Sequence, residues 1–260
     1  MSKFIEKLRR CSERSIQPMG FKSSKPANSH AMLLISALTA KDTTKASRIV
    51  KEQVDAIVAI IDTPVIDTSI LKKLMQGNID LPWGLWFKEV TKETVEQLSE
   101  TGNDFTIFEA TSTSALVLNK QDRGNILVSE NFHDTTLVRA IGQLGIDAVI
   151  IHIAHEKQML TVDHLLRCRQ IAALTQKPII ATTEVMLAQA EVQALWEAGA
   201  CGLMVTGESG KSENCLSELR KITNSLSPST KAKRGHEDVI LPSITPQSQS
   251  ISEDADDDFE

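Results

Sequence analysis

The chain has 260 residues, 41% hydrophobic and 24% charged, which is enough to bury a full core without disulfides or metals. No apolar run approaches the roughly 20 residues of a membrane helix, no apolar stretch follows the basic N-terminus as in a secretory signal, and the four cysteines (Cys11, Cys168, Cys201, Cys215) are too scattered for a zinc site or a disulfide framework. The net charge of −6 sits mainly at the end of the chain: from residue 227 on there are three basic residues (Lys231, Lys233, Arg234) against eight acidic ones, leaving 25 basic and 26 acidic for residues 1–226. A nearly neutral body has no broad electrostatic claim on nucleic acid. Membrane and nucleic-acid partners are therefore not expected, and unpaired thiols suit a reducing cytoplasm.

In chain order, residues 3–15 place Phe4, Ile5, Leu8 and Cys11 on one helical face among Lys7, Arg9, Arg10 and Arg14. Four apolar side chains make a narrow membrane footprint, so the expectation is a helix covering one end of the fold. From residue 31, short apolar runs (32–38, 56–61, 84–87, 105–108, 126–128, 148–153, 178–181 and 202–205) alternate with helix-like segments (43–53, 68–76, 92–100, 136–144, 162–174, 187–198 and 212–226). Only the connection 110–123 shows no helix. Such alternation implies βαβ units, because parallel neighbours need a crossover. Runs such as Ala148-Val149-Ile150-Ile151 are continuously apolar, as strands covered on both faces should be. Gly145 and Gly199 follow two helices at the left-handed position just past a helix end. Eight such units fit a closed (β/α)8 barrel over 31–226, preceded by a helix and linker (1–30). An open doubly wound sheet is less favoured, since no G-x-G-x-x-G follows the first strand. Beyond 226 the chain is Ser/Pro/Gln-rich and then acidic, the composition of a disordered tail over 227–260.

The stretch Gly145-Ile146-Asp147-Ala148-Val149-Ile150, then Lys177-Pro178-Ile179-Ile180-Ala181, then Glu197-Ala198-Gly199-Ala200-Cys201-Gly202-Leu203-Met204-Val205 and Gly207, resembles the closing quarter of aldolase-type and phosphate-binding TIM barrels. The resemblance covers residues 145–207 and implies fold more than chemistry. It implies a phosphate site formed by the last two strand–helix loops. Where such barrels carry a glycine pair after the seventh strand, this chain reads Thr182-Thr183-Glu184, and a carboxylate there opposes a phosphate. The same gap counts against flavin, which would use the same loops, and leaves the cofactor undecided.

Between the eighth run and the last helix lies Thr206-Gly207-Glu208-Ser209-Gly210-Lys211-Ser212. It is close to a P-loop, but Val205 stands where the first glycine belongs and no further strand follows, so a nucleotide triphosphatase is not indicated. The weaker reading is an anion site. Gly207, Ser209 and Gly210 free backbone amides, Ser212 caps the helix, and Lys211 adds charge at the positive end of the helix dipole. In a barrel, polar residues at strand ends share the C-terminal mouth. Those ends give Thr39 and Lys41, Asp62, Lys88 and Glu89, Glu109, Ser129 and Glu130, His152 with His155 and Glu156, Thr182 and Glu184, and Thr206. Lys88 is expected to act as nucleophile or base if burial lowers its pKa, with Glu109 and His152 moving protons. Asp62, Glu109, Glu130 and His152 carry suitable metal-ligating groups, but no short-range spacing supports a metal site.

The functional expectation is a barrel that binds a small anionic, phosphorylated metabolite, with lyase or aldolase-like chemistry by analogy of fold. The alternative is a barrel without catalysis that serves as a binding or scaffold protein through its tail. A homo-oligomer and a protein partner for the tail are compatible with both.

Overall fold

Residues 2–14, 30–39, 54–62, 81–119, 122–129, 134–154, 159–207 and 212–227 are described in a computed structural model of the chain. The helices expected at 43–53 and 68–76, the linker 15–29 and the tail from 228 lie outside the described residues. Eight parallel strands follow one another around the barrel: β1 (Leu33–Thr39), β2 (Ala56–Ile61), β3 (Trp83–Phe87), β4 (Phe105–Glu109), β5 (Gly124–Val128), β6 (Ala148–Ala154), β7 (Ile179–Thr183) and β8 (Ala200–Val205). β8 pairs with β1, Leu33 against Gly202 and Ser36 against Val205, and closes the ring. The described α-helices are α1 (Lys3–Arg14), α2 (Lys92–Thr101), α3 (Thr135–Gln143), α4 (Val162–Thr175), α5 (Gln189–Glu197) and α6 (Glu213–Asn224).

Strand alternation sorts the apolar residues into two cores. Leu33, Ile35, Ala37, Val58, Phe105, Ile107, Ile126, Val128, Ile150, Ile180 and Met204 fill the barrel interior. Leu34, Leu38, Leu85, Phe87, Val149 and Leu203 point outward into a second layer shared with helix residues such as Val138, Ile171, Leu195 and Leu216. Burial on both faces is why these strands read as unbroken apolar runs.

The N-terminal helix closes one end. Phe4, Ile5, Leu8 and Cys11 are all buried in the interior core, and the Phe4 ring stacks on Phe105 with centroids 4.5 Å apart. Gly84 exists to admit Phe105: a Cβ there would lie 2.1 Å from the Phe105 ring. The helix is also fastened electrostatically. Asp104 accepts from the Lys3 and Phe4 backbone N–H groups and from Ser2 Oγ, each at 2.8 Å, which caps the helix start. Arg9 pairs with Asp147 at 2.6 Å.

Asp55, Asp104 and Asp147 occupy equivalent places, just before β2, β4 and β6, and each donates its backbone N–H to the preceding strand or its lead-in, at 2.8, 2.9 and 2.7 Å. Asp55 and Asp147 additionally accept from the backbone of Leu34 and Asn125. Asp55 is held by Arg220 of α6 at 2.7 Å, an ion pair almost out of solvent that ties the last helix to the first two strands. This is the strand-start end, where barrel residues serve stability rather than catalysis.

Local details refine the sequence reading. Gly199 has φ 107°, as its place after α5 requires, whereas the helix end before Gly145 is made by Leu144 in extended conformation, and Gly145 is not among the positive-φ residues. Left-handed helix ends fall instead at Gly102 after α2 and Gln176 after α4. The helix-free connection after β4 contains a short 3-10 helix, Ala115–Asn119. Burial pushes the Cys168 and Cys201 thiols up to about 12, so they behave as packing groups.

If α1 is a plug rather than a surface helix, Phe4→Ala should cost about 3–5 kcal/mol in denaturant unfolding. The exposed Lys7→Ala should stay within about 0.5 kcal/mol.

Candidate functional site

The opposite end of the barrel collects the polar strand ends. On β2, β3 and β4 the interior positions Ile60, Trp86 and Ile107 are in register with one another. Two residues further along each strand direction stand Asp62, Lys88 and Glu109. The alternation that turns the first three inward therefore brings the second three to the rim together. Lys88 Nζ lies 2.9 Å from Asp62 Oδ1, with both side chains mostly in solvent, and Glu109 is close enough for its charge to act on the amine.

The electrostatics correct one expectation. A nucleophilic or basic Lys88 requires burial to depress its pKa. Lys88 is exposed, and the hydrogen bond and charge of Asp62, helped by Glu109, raise its pKa. The amine is an ammonium ion flanked by two carboxylates.

The backbone under Lys88 is fixed by the connection that has no α-helix. Ser112 Oγ donates to the Lys88 carbonyl, the Val90 N–H donates to Ser112 O at 3.0 Å, and the Ser114 N–H donates to Val90 O at 2.8 Å. Thr113 and Val90 form an isolated parallel bridge. The run Thr111-Ser112-Thr113-Ser114 thus straps the segment after β3, which orients the lysine without a helix.

Across the mouth, His152 on β6 stacks with Trp86, centroids 5.8 Å apart and planes inclined by 29°. His152 is the register partner of Thr182, and the ladder shifts at a bulge between His152 and Ala154. Thr182 is buried, and so is Thr183, whose hydroxyl turns back to bond Val185 through both N–H (3.1 Å) and C=O (2.9 Å). The Thr206 N–H donates to Thr183 O at 2.9 Å, binding the ends of β7 and β8 together.

That junction places Glu184 beside Gly207. Gly207 has φ 63°, a conformation that favours glycine, and a Cβ there would lie 3.9 Å from the Glu184 Cβ and Cγ. The carboxylate stem therefore runs along the start of the expected anion loop. Ser212 does cap α6, accepting from the Cys215 N–H at 3.4 Å. Ser209, Gly210 and Lys211 lie outside the described residues, as do Lys41, Glu130, His155 and Glu156.

The structure thus brings Asp62, Lys88 and Glu109 together on one side of the mouth, stacks His152 on Trp86 beneath Lys88, and sets Gly207 with Glu184 beyond Thr182. Trp86 and Ile60 went unread as mouth residues. The available signal was same-face spacing: each precedes a charged rim residue by two. Among the described residues no three His, Cys, Asp or Glu side chains converge as a metal site, and no helix is long and apolar enough to cross a membrane.

Replacing the acceptor, Asp62→Asn, should lower the Lys88 pKa toward the ordinary lysine value, read by NMR of the 13C-methylated amine. Borohydride treatment with ketones should give no more mass gain at Lys88 than at other exposed lysines, since a raised pKa leaves less of the free amine that adds to a carbonyl.

No protein-family model matches the chain, and no curated protein matches it in sequence. Its fold, however, is shared with solved barrels. A protein from Aquifex aeolicus superposes with a TM-score of 0.61 at 13% identity, covering 85% of this chain and 99% of that one. The 3-keto-L-gulonate-6-phosphate decarboxylase of Vibrio cholerae gives 0.60 at 18% identity, covering 76% and 99%. The HpcH/HpaI aldolase of Desulfitobacterium hafniense gives 0.55 at 12% identity, covering 75% and 94%. At these identities the likeness is one of fold, and in fold the chain is a TIM barrel like those of aldolase-type enzymes.

Proposed function

We propose that the barrel binds a small phosphorylated metabolite across its C-terminal mouth and cleaves it in a lyase or aldolase-like reaction. The observation that carries this is the rim cluster of Asp62, Lys88 and Glu109, set above Trp86 and the His152 ring stacked on it in one closed barrel. The names of two barrels of like fold support this: a 6-phosphate decarboxylase for the phosphate group, and an aldolase for the carbon–carbon bond broken.

In this reading Gly207, Ser209, Gly210 and Lys211 hold the phosphate at the start of α6, where the helix dipole and freed amides favour an anion. Glu109 takes the proton of a hydroxyl two carbons from a carbonyl. The carbon–carbon bond between them breaks, and its electron pair passes into the carbonyl oxygen, giving one aldehyde or ketone and one enolate. Lys88, already an ammonium ion, stabilises the enolate oxygen as its charge develops. His152 returns a proton to the enolate carbon. Lys88 is thus an electrostatic catalyst with no covalent intermediate, and the reaction needs no external oxidant or reductant. The four cysteines, none of them in a disulfide, suit the cytoplasm as the site of action.

The second reading, a barrel that binds or scaffolds without catalysis, is favoured by one observation. Glu184 lies along Gly207, and its charge opposes a phosphate in the loop. Thermal melting separates the two. Phosphate at ten times its Kd should stabilise the native state by about 1.4 kcal/mol, a rise in Tm of roughly 3–6 °C. Lys211→Ala should abolish that rise and Glu184→Gln should enlarge it. No rise with phosphate, sulfate or a sugar phosphate supports the scaffold.

A further inference from the structure

Most of the barrel interior is closed to solvent: Ile107, Ile126, Val128, Ile150, Ile180 and Met204 are each 1% exposed or less. Beside them Ile60 and Trp86, in register with each other and with Ile107, are, among the described residues, the two apolar side chains packed on the inner core that remain only partly buried. The Trp86–His152 separation of 5.8 Å lies within the window of about 4.5–7 Å for offset aromatic pairs, so the imidazole steadies the indole. A large aromatic ring is left part-exposed at the floor of a mouth in a chain whose only aromatics are seven Phe and three Trp.

The position of this floor limits what can lie on it. The charged rim of β2–β4 rises two residues above Ile60, Trp86 and Ile107. Gly207 stands across the mouth, reached from His152 through its register partner Thr182 and the β7–β8 junction. A ligand whose reacting group lies at Lys88 is next to Trp86, two residues before it on the same face of β3, and to the His152 ring stacked on Trp86. A hydroxylated aliphatic body would set its polar groups against apolar surface, stripped of water with few partners. A flat unsaturated body would stack on the rings and displace only loosely held water.

We propose that Trp86, with Ile60 and His152, is a specificity platform, and that the ligand class is a phosphorylated metabolite with a planar conjugated or aromatic body. The proposal rests on the anion site put forward above and adds the nature of the body between its two charged ends. Trp86 acts by positioning, so its loss should weaken binding of flat ligands without altering recognition of the anion.

Calorimetric titration with phenylphosphonate, cyclohexylphosphonate and methylphosphonate tests this, since the three share a headgroup and differ only in the body. The wild-type chain should bind the phenyl compound about tenfold more tightly than the methyl compound, and more tightly than the cyclohexyl one. Trp86→Phe should keep that order, and Trp86→Leu, which stays apolar, should erase the preference for phenyl over cyclohexyl. Equal binding of phenyl and cyclohexyl by the wild-type chain overturns the platform and leaves the anion site standing. Binding of phenyl and cyclohexyl alike with none of methyl also overturns it. Binding of phenyl alone supports the platform and overturns the anion site. Binding of none overturns both.

Discussion

The pairing of β8 with β1 is the constraint on which the rest of the molecule depends. With Leu33–Ser36 laddered against Gly202–Val205, no strand has an edge and every strand has a defined inner face. Inner positions at the strand starts then belong to one sealed core, and inner positions past the strand ends belong to one opening. That is why Asp62, Lys88 and Glu109, separated by as many as 47 residues of sequence, are neighbours in space, and why His152 reaches the Trp86 ring below them. Closure also asks for a plug, and α1 supplies it.

The two ends of the barrel use charge in different ways. At the strand starts, Asp55, Asp104 and Asp147 are occupied by backbone N–H groups, and their cations are partners from α1 and α6: Arg9 on Asp147 and Arg220 on Asp55. Such carboxylates hold the ring together and are spent in doing so. At the strand ends the Lys88–Asp62 pair lies in solvent. An exposed pair contributes little to stability. The strap through Ser112 holds the backbone of Lys88 in place.

Much of the fold was legible in the sequence because strands buried on both faces are continuously apolar, and because Phe4, Ile5, Leu8 and Cys11 have helical spacing. The chemistry was less so. Lys88 was found by its place after a strand, but the rise of its pKa comes from Asp62, 26 residues away beside a neighbouring strand. Trp86 reads as one more apolar residue in Trp83-Gly84-Leu85-Trp86-Phe87, and only the inner face of a closed ring distinguishes it from Leu85 and Phe87. The strap at 111–114 has no periodicity to betray it. Its hydrogen bonds reach a strand more than 20 residues earlier. Gly145 misled for a local reason, since Leu144 ends its helix in extended conformation and no left-handed residue is needed there.

One mouth gathering these groups around an anion is the central claim, and amide NMR tests it most directly. In a titration of the 15N-labelled chain with inorganic phosphate, the account predicts shifts at the amides of Gly207 and Thr206 and at the Trp86 indole N–H, with Leu34 and Asn125 at the far end unmoved. Shifts confined to the strand-start end, or none anywhere at millimolar phosphate, would contradict it.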